Sequence, residues 1–426
     1  MAVTYPTHKL PGLAICACLL SAFLCPTVDA QDVMRPSLGM QRAATSLNAT
    51  PASRYNVKAG PVQMLFNASM GAGYNSNVNV SEDNPQASFV LSPRVGMGIL
   101  WPITKLNKLQ LSLQFGYDYY TSQPDLNSSI ILISPTTEFL FNIYVQDIRI
   151  TVYDRPSITN NPVDNPTVTN AVNYTIFNNT AGLDLVWDLN DVLLGLGYSN
   201  FMQYAINDDF SNQNRVANQI YANGSFLVQP FLRLGLEGSV SSNIYTSGAS
   251  AGGGALNDST NYTLGGTVSG NISRFIDWSG GVGWQFADFN ESNNPLNTGN
   301  YNDPYFYLNL DHTVNEYFAH RFASGFEGVP SAVSNFVQLF YIRYSFNWML
   351  IRDWSLGGAA FYENGVESPG PNTEDFNRVG ANIALTYQLT KHWVTSIYWG
   401  WITKGSTTIG DGYNQQRFGL NVTYNF

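Results

Sequence analysis

Strict alternation of apolar and polar side chains in the last ten residues constrains the fold more than any other feature of this chain. Phe418, Leu420, Val422, Tyr424 and Phe426 occupy every second position, and polar residues or glycine occupy the positions between. Because successive side chains of a β-strand point to opposite faces of a sheet, this segment has one apolar and one polar face. The pattern recurs at residues 89–101, 109–119, 181–187, 232–240, 340–348 and 379–388. Such repetition, with charges kept on one face, predicts a transmembrane antiparallel up-and-down β-barrel.

Composition supports the same all-β interpretation. Charged residues make up 12% of the chain and aromatic residues 14%. Charge is therefore about half the share that is usual in soluble globular proteins. Beyond the N-terminal segment, no apolar run approaches the roughly 20 residues that a transmembrane helix needs. A chain of this kind crosses a membrane only as a closed barrel, which pairs every backbone group.

The N-terminal segment is predicted to be an export signal. Lys9 precedes an apolar stretch at residues 12–25, and small or apolar residues end at Ala30, so we expect cleavage before Gln31. The predicted organisation is a signal peptide at 1–30, a flexible periplasmic leader at 31–60 and a β-barrel at 61–426. All three cysteines lie at or before residue 25. The mature chain is thus expected to have no disulfide and no thiolate chemistry.

Turn signals divide the barrel into hairpins. Short turns are predicted at residues 102–108, 189–191, 229–230, 276–277, 352–353 and 390–392. Longer polar stretches are predicted at residues 75–85, 155–170, 207–214, 247–258, 291–303, 367–375 and 404–412. Short periplasmic turns and long extracellular loops are typical of outer-membrane barrels. The spacing predicts about 18 strands, with about 16 as the alternative.

Four hairpins also share one design, in which a polar turn leads to an apolar or tryptophan residue and then to aromatic residues near the far rim. They lie at residues 188–201, 275–289, 351–364 and 389–402. Over nearly the whole mature chain this design resembles the β-barrel porin families of Gram-negative outer membranes. The resemblance implies outer-membrane location and a diffusion pore. It also implies that the aromatic ending, Tyr424 and Phe426, is read by the barrel assembly machinery.

The functional candidates are charged side chains that parity places inside the barrel, where water rather than lipid surrounds them. Opposed charges there set a transverse field that screens solutes. The basic candidates are Arg94, Arg149, Arg233, Arg321, Arg343, Arg378 and Arg417, and the acidic ones are Asp118, Glu138, Asp147, Asp184, Glu237, Asp311, Glu327 and Glu363. One hypothesis brings Arg343, Arg378 and Arg417 together as a ladder for anionic or sugar-like solutes. Against it, the acidic long loops, including Glu82, Glu374 and Asp411, predict a mouth that enriches cations.

Other chemistries find little support in the sequence. His320 and Ser324 share a strand face but stand ~13 Å apart, beyond the reach of a nucleophile and its base. His312 is interpreted as an isolated histidine near a turn, so we expect no metal site, no cofactor and no catalysis. Nothing extended and basic suggests nucleic acid. The expected partners are outer-membrane lipid and lipopolysaccharide, the assembly machinery, and further copies of the chain, for example in a trimer.

The predicted function is passive diffusion of small hydrophilic solutes through the lumen. Residues 155–170 are the best candidate for a loop folded into the pore, because Pro156, Pro162 and Pro166 restrict their conformations. Two alternatives remain open at this point. One is a dedicated export barrel, for example for an exopolysaccharide, and the other is a surface adhesion or structural barrel with a blocked lumen.

Overall fold

The structure is a computed structural model that describes residues 55–127, 130–171, 173–250, 254–370 and 373–426. The predicted signal peptide and most of the predicted leader lie outside the described residues. The strands are β1 Val57–Ala59, β2 Val62–Asn75, β3 Ser88–Pro102, β4 Lys108–Gly116, β5 Tyr119–Tyr120, β6 Leu132–Ile133, β7 Glu138–Val145, β8 Ile148–Thr159, β9 Ile176–Asp188, β10 Val192–Ala205, β11 Arg215–Gln229, β12 Leu232–Tyr245, β13 Asp258–Ser273, β14 Ile276–Asn290, β15 Tyr301–Thr313, β16 Phe318–Pro330, β17 Phe336–Ile351, β18 Trp354–Glu367, β19 Asp375–Gln388, β20 Trp393–Ser406 and β21 Tyr413–Asn425.

The long strands form a closed antiparallel barrel. Each pairs with its neighbour in sequence, and β2 pairs with β21 from Asn67 opposite Asn425 to Asn75 opposite Arg417, which closes the wall. Three short strands are additions: β1 folds back on β2, while β5 and β6 extend the pairing around β4. The remaining strands number 18, so the prediction of an all-β barrel of about 18 strands is confirmed.

Short turns and long loops occupy opposite ends of the barrel. The long loops, named L1 to L9 in chain order, are residues 76–87, 117–137, 160–175, 206–214, 246–257, 291–300, 331–335, 368–374 and 407–412. L2 and L7 were not predicted, and neither were the turns at residues 146–147 and 314–317. The turn predicted at residues 276–277 was wrong, because those residues lie in β14 and the chain reverses at residues 274–275.

The outer face of the wall is apolar. Val95, Leu236 and Val282 lie in the middle of their strands with 56, 69 and 67% of their surface exposed. Inward-facing neighbours such as Glu237 are buried among other polar side chains. The alternation read from the sequence is therefore the division between the two faces of the wall. Among the described residues, no helix is both long and apolar enough to cross a bilayer.

The C-terminal residues complete the seam between the first and last strands of the wall. The backbone N–H of Phe426 donates to the carbonyl of Phe66 at 3.1 Å. Tyr424 packs against Trp393 and Phe426, with ring centroids 4.8 and 5.1 Å apart. The aromatic ending thus stands at the short-turn end of the barrel, next to β2.

Candidate functional site

The predicted inward charges form local ion pairs. Arg94 on β3 pairs with Asp118 at the start of L2, and Arg321 on β16 pairs with Asp311 on β15. Glu138 on β7 accepts from Arg155 at 2.7 Å. Arg155 had been predicted to begin a loop, and this was wrong because β8 continues to Thr159. Each of these charged side chains therefore pairs with an opposite charge on a neighbouring strand or at the start of a loop.

Two carboxylates of the lumen are held by tyrosines. The hydroxyl of Tyr221 donates to Asp184 on β9. Glu237 on β12 is buried and accepts from Tyr305 at 3.0 Å and from Tyr307 at 3.1 Å. These tyrosines were not predicted to be lumen residues. Tyr305 and Tyr307 have the same parity as Asp311 on β15, and that parity places them on the inner face.

Three other predicted residues lie near the short turns. Arg233 donates to the carbonyl of Asn190 at 3.2 Å. Arg149 is exposed near the beginning of β8, and Asp147 lies in the two-residue turn before that strand. These positions place them at the periplasmic rim rather than at the middle of the lumen.

The arginine ladder is replaced by a row of ion-paired charges. Glu363 on β18 lies between Arg343 on β17, at 3.6 Å, and Arg378 on β19, at 3.4 Å. Lys404 on β20 stands opposite Arg378 in register and pairs with Glu374 of L8 at 2.7 Å. Each of the three cations in this row therefore lies next to a carboxylate.

Arg417 is separate from that row, because it lies deeper on β21. Its partners in register are Gly400 and Asn75, and it forms no ion pair within the described part of the chain. The hypothesis that Arg343, Arg378 and Arg417 form one ladder is therefore not supported by their positions. Arg417 is therefore an inward-facing cation outside this row.

L3 folds into the lumen and reaches the opposite wall. Arg378, which is fully buried, donates to the carbonyl of Val163 in L3 at 2.9 Å. Val163 packs in an apolar cluster with Val80 of L1, Ile402 of β20 and Tyr413 of β21. L3 connects β8 to β9, whereas these contacts lie on the last strands of the barrel. This loop thus folds into the lumen, as predicted.

Further contacts hold L3 to neighbouring loops. The hydroxyl of Thr169 donates to Asp411 of L9 at 2.8 Å. Asn170 donates through its side chain to Gly410 of L9 at 2.9 Å and through its backbone to Val80 of L1 at 3.2 Å. L3 is therefore bound both to the wall and to the loops around it.

A second apolar cluster anchors the far end of L3. It contains Val168, Ala171 and Tyr174 of L3, Ile176 of β9, Phe210 of L4 and Ala332 of L7. Burial raises the pKa of the Tyr174 hydroxyl above its usual value, so this hydroxyl stays protonated. The extracellular half of the lumen therefore contains L3 together with the loops that it contacts.

Several acids that had been predicted to form a cation-attracting mouth instead tie loops together. Glu82 of L1 accepts from the backbone N–H groups of Gly410 and Gly412 in L9, each at 3.2 Å. Glu374 is paired with Lys404, as described above, and Glu367 accepts from Ser331 at 2.9 Å. Lys404 compensates the charge of Glu374, whereas the donors to Glu82 and Glu367 fix the positions of those carboxyl groups.

A cavity lies on the other side of the lumen, between the walls of β11 to β17. Uncharged polar side chains and aromatic rings line most of it. Glu327 is the one charged residue among the described residues that line this cavity, which distinguishes it from the row of ion pairs around Arg378.

His312 and His320 lie on the outer face of the wall. His312 had been interpreted as isolated, and this was wrong: its Nδ1 lies 3.0 Å from Nε2 of His320, its partner in register on β16. Phe318 and Tyr344 pack around His320. Among the described residues, no three potential metal ligands cluster together.

These features define the class: an outer-membrane-type β-barrel, with an apolar belt outside and a polar lumen narrowed by an inserted loop.

No family model matches the chain, and no curated protein matches it either. Solved structures share the architecture at low identity. OccAB3 of Acinetobacter baumannii is 11% identical with a TM-score of 0.46, over 85% of this chain and 99% of that one. The Pseudomonas aeruginosa outer membrane protein opdK is 9% identical with a TM-score of 0.46, over 85 and 99%. A loop-deletion mutant of Vibrio cholerae OmpT is 12% identical with a TM-score of 0.36, over 86 and 100%.

Proposed function

We propose that this barrel is a passive channel for small hydrophilic solutes, without catalytic activity. The observation that carries the proposal is the combination of an 18-stranded wall with a charged and polar inner face. Barrels of 16 to 18 strands are wide enough to leave an aqueous channel, whereas barrels of about eight strands are filled by their own side chains. The inner charges are then hydrated groups that line a path for solutes.

The path is narrowed by L3. Its contact with Arg378 and its bonds to L1 and L9 restrict solutes to the space beside it, where the cavity between β11 and β17 lies. The paired charges give short-range fields, and Arg417 adds a positive charge outside the row of ion pairs. We therefore expect size and hydrogen bonding to govern passage more than net charge.

The surroundings of the barrel follow from its outer face. The apolar belt suits the lipid of the outer membrane, and exposed loop carboxylates suit divalent ions that bridge lipopolysaccharide. Insertion through the barrel assembly machinery and association into a homo-oligomer such as a trimer belong to the same proposal.

Swelling of liposomes that contain the refolded mature chain tests the proposed channel. Uncharged solutes of increasing size should enter at rates that fall steeply with their diameter. A shortened L3, with residues 161–169 replaced by two glycines, should raise the rate for the larger solutes. If liposomes with correctly folded protein swell no faster than empty ones, for either chain, the channel proposal is refuted.

A second candidate function, a surface barrel with a blocked lumen, is favoured by one observation. L3 is fixed to the wall, to L1 and to L9, and it packs against L4 and L7, so the extracellular end is heavily filled. Under this alternative the shortened chain swells liposomes and the full chain does not. The binding of whole cells to surfaces should then depend on the exposed loop tips.

A further inference from the structure

The cavity between β11 and β17 differs chemically from the remainder of the lumen. Of its 19 lining residues, all within the described chain, none is basic and Glu327 alone is acidic. Serine, threonine, asparagine and glutamine side chains contribute most of the polar groups, including Ser241, Asn243, Asn261 and Gln285.

Two buried polar atoms in this cavity lack partners. Asn243 donates to Ser259 at 3.1 Å, but its carbonyl oxygen has no hydrogen-bond partner among the described residues. The hydroxyl of Tyr301 likewise has none within the described chain. Both side chains are more than nine-tenths buried, at 3 and 2% exposure. Because leaving such groups unpaired is costly, a solute that bonds to both would gain free energy.

Aromatic rings lie beside these atoms, and Tyr301 meets Phe336 edge to face. Phe336 packs on Tyr301 and on Phe289, with ring centroids 5.1 and 5.8 Å apart. The ring of Tyr301 lies directly over Gly328, where a Cβ would approach ring carbons to 2.8 Å. Glycine at this position lets the ring lie flat against β16, so that its hydroxyl stays at the cavity.

Loops fix the extracellular side of the cavity. Asn257 of L5 donates to the carbonyls of Asn294 and Asn297 in L6, at 2.9 and 3.0 Å, and to the side chain of Asn335 in L7, also at 3.0 Å. Asn335 itself lines the cavity. The cavity is thus a built enclosure, held by buried amide contacts, rather than a gap between mobile loops.

We propose that this cavity is a binding site for a neutral, hydroxyl-rich solute of the monosaccharide or disaccharide type. The inference rests on the proposed channel function and names its preferred solute class. Sugar hydroxyls both donate and accept, as do the amides and hydroxyls of the wall. The aromatic rings of the cavity offer apolar contacts to the C–H groups of a sugar ring. Carboxylate solutes find no basic partner here and are repelled by Glu327.

Saturation-transfer NMR with the refolded barrel in detergent tests the inference. Galactose should give a saturable signal, and galacturonate, which differs by one carboxylate, should bind at least several-fold more weakly. Tyr301→Phe should weaken galactose binding about two- to tenfold, the value of one hydrogen bond. Tyr413→Phe is the matched control, because Tyr413 is a buried inner-wall tyrosine outside this cavity; its galactose affinity should stay unchanged.

The outcomes separate this inference from the channel proposal. Equal or tighter binding of galacturonate by the unmodified chain overturns the inference, as does equal weakening by the two tyrosine variants. Glu327→Gln should improve galacturonate binding, and no improvement contradicts the role given to that charge. A barrel that binds galactose as expected but fails to swell liposomes refutes the channel while leaving the site intact.

Discussion

Releasing L3 from the wall should expose its tip in a measurable way. Arg378 and Glu363 are both fully buried, and Arg378 donates to the Val163 carbonyl at 2.9 Å. Arg378→Met keeps a long side chain but removes this charged hydrogen bond, which is worth about 1.5–3 kcal/mol. Each 1.4 kcal/mol is a factor of about ten in an equilibrium. The population with L3 released should therefore rise about ten- to hundredfold.

Thiol labelling measures that population directly. The predicted mature chain has no cysteine, so Val163→Cys introduces a single thiol at a position that is 1% exposed. When the loop recloses faster than a membrane-impermeant maleimide reacts, the labelling rate tracks the released population. Arg378→Met should accelerate the labelling of Val163→Cys about ten- to hundredfold. Ile409→Cys, which is 98% exposed in L9, gives the rate of an unprotected thiol.

The control substitution removes an arginine that does not touch L3. Arg321 also faces the lumen and pairs with Asp311, so Arg321→Met loses a comparable ion pair while leaving the loop contacts intact. It should leave the labelling of Val163→Cys unchanged. The reasoning is refuted if Val163→Cys reacts as fast as Ile409→Cys in the parent chain. An unchanged labelling rate in a folded Arg378→Met barrel refutes it equally.

Other substitutions probe the wall and its assembly. Glu363→Gln leaves buried positive charge uncompensated and should lower the free energy of unfolding by about 3–5 kcal/mol; an unchanged denaturant midpoint for refolded barrels would contradict this. Val95→Arg places a charge on the lipid face and should cost ~2–4 kcal/mol in vesicles, whereas Gln114→Arg on the lumen face should cost clearly less. Equal losses would mean that the two faces are assigned wrongly. Phe426→Ala should lower the amount of barrel assembled in cells without slowing refolding in detergent, and equal effects in both assays would remove its role as an assembly signal.

Much of the fold was predictable because one physical constraint acts on every spanning strand. Lipid outside and water inside impose alternation at residues such as Leu232 to Val240, so the two faces and the approximate strand number followed from parity. Turn chemistry identified residues 189–191, where Asn190 takes a positive φ of 67° that asparagine tolerates well. Residues 146–147 were missed because Gln146 adopts a similar conformation, with φ at 53°, without being a usual turn residue.

The interior was predictable only in part, because parity gives the face of a side chain and not its partner. Glu363 was assigned correctly to the inner face, but its position between Arg343 and Arg378 depends on the strand register. The contact between Arg378 and Val163 joins residues 215 positions apart, and no local pattern encodes it. The inward tyrosines were missed for another reason: an aromatic residue counts as apolar in an alternation pattern, whereas Tyr305 uses its hydroxyl in the lumen.

Single-channel recording in a planar bilayer tests the central claim most directly. The claim is that the polar lumen of this barrel conducts and that L3 limits the current. The account predicts discrete, long-lived steps for the refolded mature chain, and larger steps or longer openings for Arg378→Met but not for Arg321→Met. The claim is contradicted if the parent chain and both variants insert and stay folded but carry no current.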